Sequence, residues 1–376
     1  MNNLPLQEAA TLKRTLFGRL PSGEKVEAIT LANGCGMQAC VITFGAALQS
    51  VLAPDRHGLV ADVVLGHERL IPYFTKPQYF GATVGRYANR IANGRFCLDG
   101  EIYQLDTNER GNTLHGGSAA FDRRTWRVLN TECEAAVASV TLGMTSDDGD
   151  MGFPGNLETS VTYSLDARNL LTVDYRATTD RPTIVNLSNH TFWNLGGDGS
   201  GSVMQHELEI AADTFTPVDL NMIPTGEYVD VTDTACDFRT AKPIGKDIRR
   251  ATEPQLLIGQ GYDLNWVING QADQPPRRAA SVRDPASGRV MTLYSNQPGL
   301  QFYSGNRLDG TTIGKGQRIY RQSDGFALEP QRHPDTPNRP QFGSARLQPG
   351  ETYRNVLIYA FSNDSGAAEP LPAGAS

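Results

Sequence analysis

Through much of the chain, apolar and polar residues alternate at every second position, in short runs that end at glycine, proline or an Asn/Asp cluster. Val161-Thr-Tyr-Ser-Leu165 and Leu171-Thr-Val-Asp-Tyr-Arg-Ala177 are two such runs, and Asp166-Ala-Arg-Asn169 between them reads as a hairpin connection. Val137-Ala-Ser-Val-Thr-Leu142, Val290-Met-Thr-Leu-Tyr294 and Tyr353-Arg-Asn-Val-Leu-Ile-Tyr-Ala-Phe361 share the enrichment in β-branched and aromatic residues. A period of two sends successive side chains to opposite faces of a strand, so each run predicts a strand with one packed face. Helical periodicity is scarce: residues 8 to 16 and 241 to 252 each offer a few turns at most. The predicted fold is therefore all-β, a large antiparallel β-sandwich with few short helices. Strand and turn signals run from residue 26 to 361 without a Ser/Gly linker or a repeat of fixed period. Residues 1–361 read as one domain, and 362–376, with nothing to bury, as a disordered tail.

One run departs from the simple pattern. In Asn186-Leu-Ser-Asn-His-Thr-Phe-Trp-Asn194 an extended backbone sends Leu187, Thr191 and Trp193 one way, and Asn186, Ser188, His190, Phe192 and Asn194 the other. The second face either meets bulk water or lines a pocket for a polar ligand. Histidine exchanges a proton near neutral pH, so such a pocket suits proton transfer to a hydroxylated small molecule. Trp193, opposite His190, reads as core.

Composition mainly excludes. With 34 Lys+Arg against 41 Asp+Glu and a net charge of −7, no basic surface for nucleic acid is expected. No membrane span is visible, and the first residues, with Glu8 among them, lack the apolar stretch of a secretory signal, so the chain reads as cytoplasmic. Cys35, Cys40, Cys97, Cys133 and Cys236 are odd in number and contain no Cys-x-x-Cys pair, which predicts reduced thiols. Asp147-Asp-Gly-Asp150 lacks the spacing of a calcium loop, and Gly196-Gly-Asp-Gly-Ser-Gly201 lacks the context of a phosphate cradle. His57, His67, His206 and His333 sit in no motif and read as surface or structural.

The remaining chemistry-bearing residues fall in clusters far apart: Asn89-Arg-Ile, Leu114-His-Gly-Gly, Asn189-His-Thr-Phe-Trp-Asn-Leu, Gly261-Tyr-Asp, Gln297-Pro-Gly-Leu-Gln-Phe-Tyr and Leu328-Glu. On position alone, Arg90 also fits a surface ion pair, Asp263 a turn cap and Glu329 a solvated strand end. In this order the clusters other than residues 297–303 resemble the aldose 1-epimerase family, the galactose mutarotases. Thr43-Phe-Gly-Ala46, Pro54-Asp-Arg56, Asp62-Val-Val-Leu-Gly66 and Asp148-Gly-Asp-Met-Gly-Phe-Pro-Gly155 extend the resemblance to residues 17–361.

The resemblance implies a β-supersandwich that interconverts the α and β anomers of a free aldose such as galactose or glucose, with no cofactor or metal. Opening a hemiacetal needs a base for the C1 hydroxyl proton and an acid for the ring oxygen. Carried onto matching positions, Glu329 resembles the family's general base and His190 its general acid. Asn89, Arg90, His115, Asp263 and Gln301 resemble its substrate binders, with Phe192 or Trp266 as an apolar platform for the sugar ring. Two alternatives stay open: a hexose-6-phosphate epimerase of similar fold, with Arg86 and Arg332 as candidate phosphate cations, and a non-catalytic sugar-binding protein. The chain is expected to work as a monomer or homodimer on a free monosaccharide.

Overall fold

The computed structural model describes residues 9–364 apart from Pro77. Three antiparallel sheets carry the architecture. The largest has nine strands. It runs through Arg127–Glu134, Val137–Ser146, Leu157–Asp166 and Leu170–Thr179, then Tyr353–Asn363, Arg289–Ser295, Arg277–Arg283, Glu207–Ile210 and Lys242–Pro243. A six-stranded sheet is ordered Phe192–Trp193, Phe326–Gln331, Gly299–Tyr303, Asp263–Val267, Thr214–Thr216 and Val229–Asp230. A five-stranded meander spans Thr11–Arg19 to Val60–Asp62. One contiguous core draws on all three, with Ile29 and Leu31 from the meander, Val161, Leu171 and Leu357 from the nine strands, and Trp266, Phe302 and Leu328 from the six. The all-β sandwich expected from the alternation is what forms.

The hairpin follows the alternation closely. Leu165 pairs with Leu171 across the turn, where Asn169 takes the left-handed conformation at φ 61° that asparagine tolerates. Val161, Tyr163, Leu165, Leu171, Val173 and Tyr175 are all fully buried, while the residues between them face outward.

The helix expectations fail. Residues 11 to 19 form a strand hydrogen-bonded to Lys25–Ala32, so pairing with a neighbour overrides the local signal, and Glu8 lies outside the described residues. Residues 241 to 252 give a short strand, Lys242–Pro243, followed by turns, because Pro243 removes a backbone donor and Gly245 interrupts the pattern. The α-helices among the described residues are Leu70–Thr75 and Pro254–Gly259, each too short to show a periodicity. Proline opens the second, at the position where its missing N–H costs nothing. At the C-terminal end the last strand passes the expected limit of 361: Asn363 pairs with Arg289, and the Asp364 carboxylate accepts from Arg56 and Arg283. Residues 365–376 of the expected tail lie outside the described residues.

Candidate active site

The run around His190 does not form one continuous strand. Ser188–His190 pairs with Ala82–Val84, the ladder breaks at Thr191, and Phe192–Trp193 pairs with Phe326 and Ala327. Both faces are buried, so the second face does not meet bulk water, and only part of it lines a pocket. Asn186 Nδ2 donates to the Ala88 carbonyl at 3.0 Å, and its Oδ1 accepts from Arg332 N at 2.8 Å. Ser188 Oγ donates to the Pro330 carbonyl, and Asn194 Nδ2 to those of Gly201 and Asp324. These polar side chains satisfy buried backbone, as buried polar groups must. Of that face, His190 and Phe192 reach the cleft. Trp193 is fully buried in the core, as expected.

Glu329 stands on the strand Phe326–Gln331, and register fixes its neighbours. Phe192 pairs with Ala327, which places His190 and Glu329 two residues along their strands from that pair. Their side chains meet, with His190 Nε2 3.6 Å from Glu329 Oε1 and both groups buried. On the other side Gln301 pairs with Glu329 and Tyr303 with Asp263, so these polar side chains share one face of the sheet. Gln301 Nε2 donates to Asp263 Oδ1 at 2.7 Å. Leu264, Trp266, Leu300, Phe302 and Leu328 alternate onto the other face and enter the core. Trp266 is therefore no sugar platform. Its ring is fully buried and its indole N–H donates to the Cys236 carbonyl.

Two loops complete the arrangement. Asn89 and His115 both adopt left-handed backbone, at φ 65° and 53°. They are tied together, His115 N donating to the Asn89 carbonyl at 3.0 Å and Asn89 N to His115 Nδ1 at 3.1 Å. That second bond assigns the His115 proton to Nε2, since the ring accepts through Nδ1. Arg90 follows in the two-residue strand Arg90–Ile91, paired with Thr113–Leu114, and its Nε donates to Glu109 at 3.2 Å. All seven sequence-expected residues, Asn89, Arg90, His115, His190, Asp263, Gln301 and Glu329, line one cleft.

The sequence profile of the aldose 1-epimerase family matches residues 27–360. The chain belongs to this family. It is 41% identical over 356 residues to the galactose mutarotase of Homo sapiens, covering 94% of this chain and 99% of the relative. To the aldose 1-epimerase of Escherichia coli it is 38% identical, over 91% of this chain and 96% of that one. The solved galactose 1-epimerase of Lactobacillus acidophilus superposes with a TM-score of 0.83 at 30% identity, covering 94% and 99% of the two chains.

In this aldose-epimerase cleft, burial dominates the electrostatics. It pushes the His190 pKa down to about 4. Burial also drives the Glu329 carboxyl well above its ordinary value. The neighbouring Asp263 adds to that, while Arg90 opposes it. His115 is held neutral by burial, with His190 and Arg90 adding to the effect. Glu329 Oε2 and Gln301 Oε1 are buried without a hydrogen-bond partner, an arrangement that costs free energy until something in the cleft supplies one. Candidate ligand atoms of His115, His190 and Glu329 lie within 4.8 Å of one another. The donor set does not suit a metal, because His115 accepts through Nδ1 and carries its proton on the nitrogen a metal would need.

The sequence reading missed Gln78, Tyr79, Leu114, Tyr303, Arg307 and Leu308, which also line the cleft. Tyr303 was legible as the second residue after Gln301 on the same strand face. Tyr79 carries no sequence signal, yet its ring lies 4.7 Å from His115 and 5.5 Å from His190 between centroids. Other readings resolve as structural. None of the five cysteines forms a disulfide, although Cys97 and Cys133 are exposed. His57 is exposed, and His67, His206 and His333 are buried and hydrogen-bonded. Asp150 of the acidic loop pairs with Arg124 and Ser146. Among the described residues no helix is long and apolar enough to cross a membrane.

Proposed function

We propose that this enzyme is a mutarotase for a free aldose, galactose first, with Glu329 and His190 as its proton-transfer pair. The observation that carries the reading is the buried carboxyl–imidazole contact at 3.6 Å, in a cleft whose other polar groups can both donate to and accept from sugar hydroxyls. Glu329 takes the proton of the C1 hydroxyl while His190 protonates the ring oxygen, and the bond from C1 to that oxygen breaks. The open-chain aldehyde turns about C1–C2 and recloses from the other face with both transfers reversed. Each positioned group contributes about 100- to 10,000-fold.

Burial favours the neutral form of each partner, so the pair holds one proton and the carboxyl keeps it. A C1 hydroxyl donating to the unpartnered Oε2 favours the carboxylate, as the Arg90 charge does, and the proton passes to His190. The reaction starts from that form. Asn89, Arg90, His115, Asp263 and Gln301 hold the remaining hydroxyls, and Phe192 meets the apolar side of the ring.

A phosphorylated substrate is less well served. Arg86 is buried and donates to the carbonyls of Ser146, Pro154 and Gly155, and Arg332 pairs with Asp273. A purely sugar-binding role leaves an acid and a base in contact without a task. The reading includes a cytoplasmic location, a part in hexose metabolism, and a monomer or homodimer, which light scattering distinguishes. Polarimetry of freshly dissolved α-D-galactose tests the function. The wild type should hasten relaxation, and Glu329→Gln or His190→Asn should lower turnover roughly several hundred-fold with unchanged circular dichroism. Full activity in both variants would reject these roles.

A further inference from the structure

Behind Arg90 sits a carboxylate that the proposed chemistry does not use. The Arg90 and Glu109 side chains retain 6% and 11% exposure, and Arg90 Nε donates to Glu109 Oε2 at 3.2 Å. Among the described residues, Arg90 makes no other side-chain hydrogen bond or ion pair, so its two terminal nitrogens are uncommitted on a residue that lines the cleft. The other Glu109 oxygen lies 3.5 Å from Arg307 Nη2 and 3.6 Å from Arg110 Nε. One carboxylate thus gathers three guanidinium groups, from the strand Arg90–Ile91, from its own loop, and from the segment after Gly299–Tyr303. Burial raises the Glu109 pKa, but Arg90, Arg307 and Arg110 outweigh it and hold it below the usual carboxylate value. Glu109 is therefore a stable anion.

We propose that Glu109 is a positioning residue: by holding Arg90 through Nε, it turns both terminal nitrogens of Arg90 toward the sugar, while the nearby charges of Arg110 and Arg307 keep Glu109 ionised. This inference rests on the cleft being the sugar site. A bond through Nε is what such a role requires, because a pairing through the terminal nitrogens would use up the donors that face the cleft.

Glu109→Ala should raise KM for galactose about tenfold and lower kcat by less than about threefold, since it frees Arg90 but leaves its charge and the reacting pair in place. Glu109→Gln, which keeps an acceptor for Nε but not the charge, should fall between wild type and Glu109→Ala, and it carries the test if the alanine variant does not fold. In an Arg90→Ala background the Glu109 substitutions should change KM no further. The Arg90 Nε–Hε signal in ¹⁵N NMR should be protected from exchange in the wild type and lose that protection in Glu109→Ala. Unchanged KM in both Glu109 variants, or additive effects in the double mutant, would overturn the proposal, since a merely structural pair would move only the melting temperature. A wild type that leaves galactose mutarotation unaccelerated would instead reject the proposed function, and the Arg90 signal alone would then decide the role of Glu109.

Discussion

At the scale of single residues, the shared proton of Glu329 and His190 sets the pH response. Activity needs one proton on the pair. A second adds to His190 only toward its depressed pKa of about 4, and the first leaves Glu329 only well above the ordinary carboxylate range. The kcat/KM profile should therefore fall on the acid side toward pH about 4, stay level above that, and fall again as the pH passes the raised pKa of Glu329, with limbs that belong to the pair rather than to either group. Polarimetry across the pH range checks this, and an acid limb near the ordinary histidine value of about 6.5 would contradict it. Both residues were legible as chemistry, because a histidine among strand polar groups and a glutamate after an apolar run stand out. Their mutual position was not. Trp266 shows the converse, an aromatic three residues from Asp263 whose strand face sends it into the core. Trp266→Ala should cost about 3–5 kcal/mol of stability by thermal unfolding while the folded fraction keeps its KM for galactose. A raised KM would return Trp266 to the cleft.

At the scale of elements, strands and turns divide the work. The period-two runs were readable because both faces of a strand are written in consecutive residues, as Leu157–Asp166 and Leu170–Thr179 show. The short helices were not, since six residues carry too little pattern. The loops that hold Asn89 and His115 depend on backbone that a side chain rarely adopts. Gly116 has φ 96°, and a Cβ there would come within 2.2 Å of the Gly85 carbonyl oxygen. Gly116→Ala should push the His115 loop away from Asn89, lowering kcat/KM about a hundredfold and the stability by about 2 kcal/mol or more. Polarimetry and thermal melting of the one variant measure both. Wild-type values would show that this contact does not hold His115.

At the scale of the molecule, residues from 89 to 329 converge because the six-stranded sheet, the short Ser188–His190 ladder and the loops of Asn89 and His115 meet at one cleft. The sequence by itself determined the strand content, the inward face of most strands, and the kinds of groups available for acid–base chemistry on a hydroxylated ligand. All of these follow from local periodicity and residue type. Only the tertiary structure decided which polar side chains reach the ligand. It sent Asn186 and Ser188 to buried backbone, Arg86 to interior carbonyls, and Glu109 behind Arg90. The physical reason is that register across a sheet is fixed by pairing with distant strands and by the packing of both faces, and no stretch of neighbouring residues records that pairing.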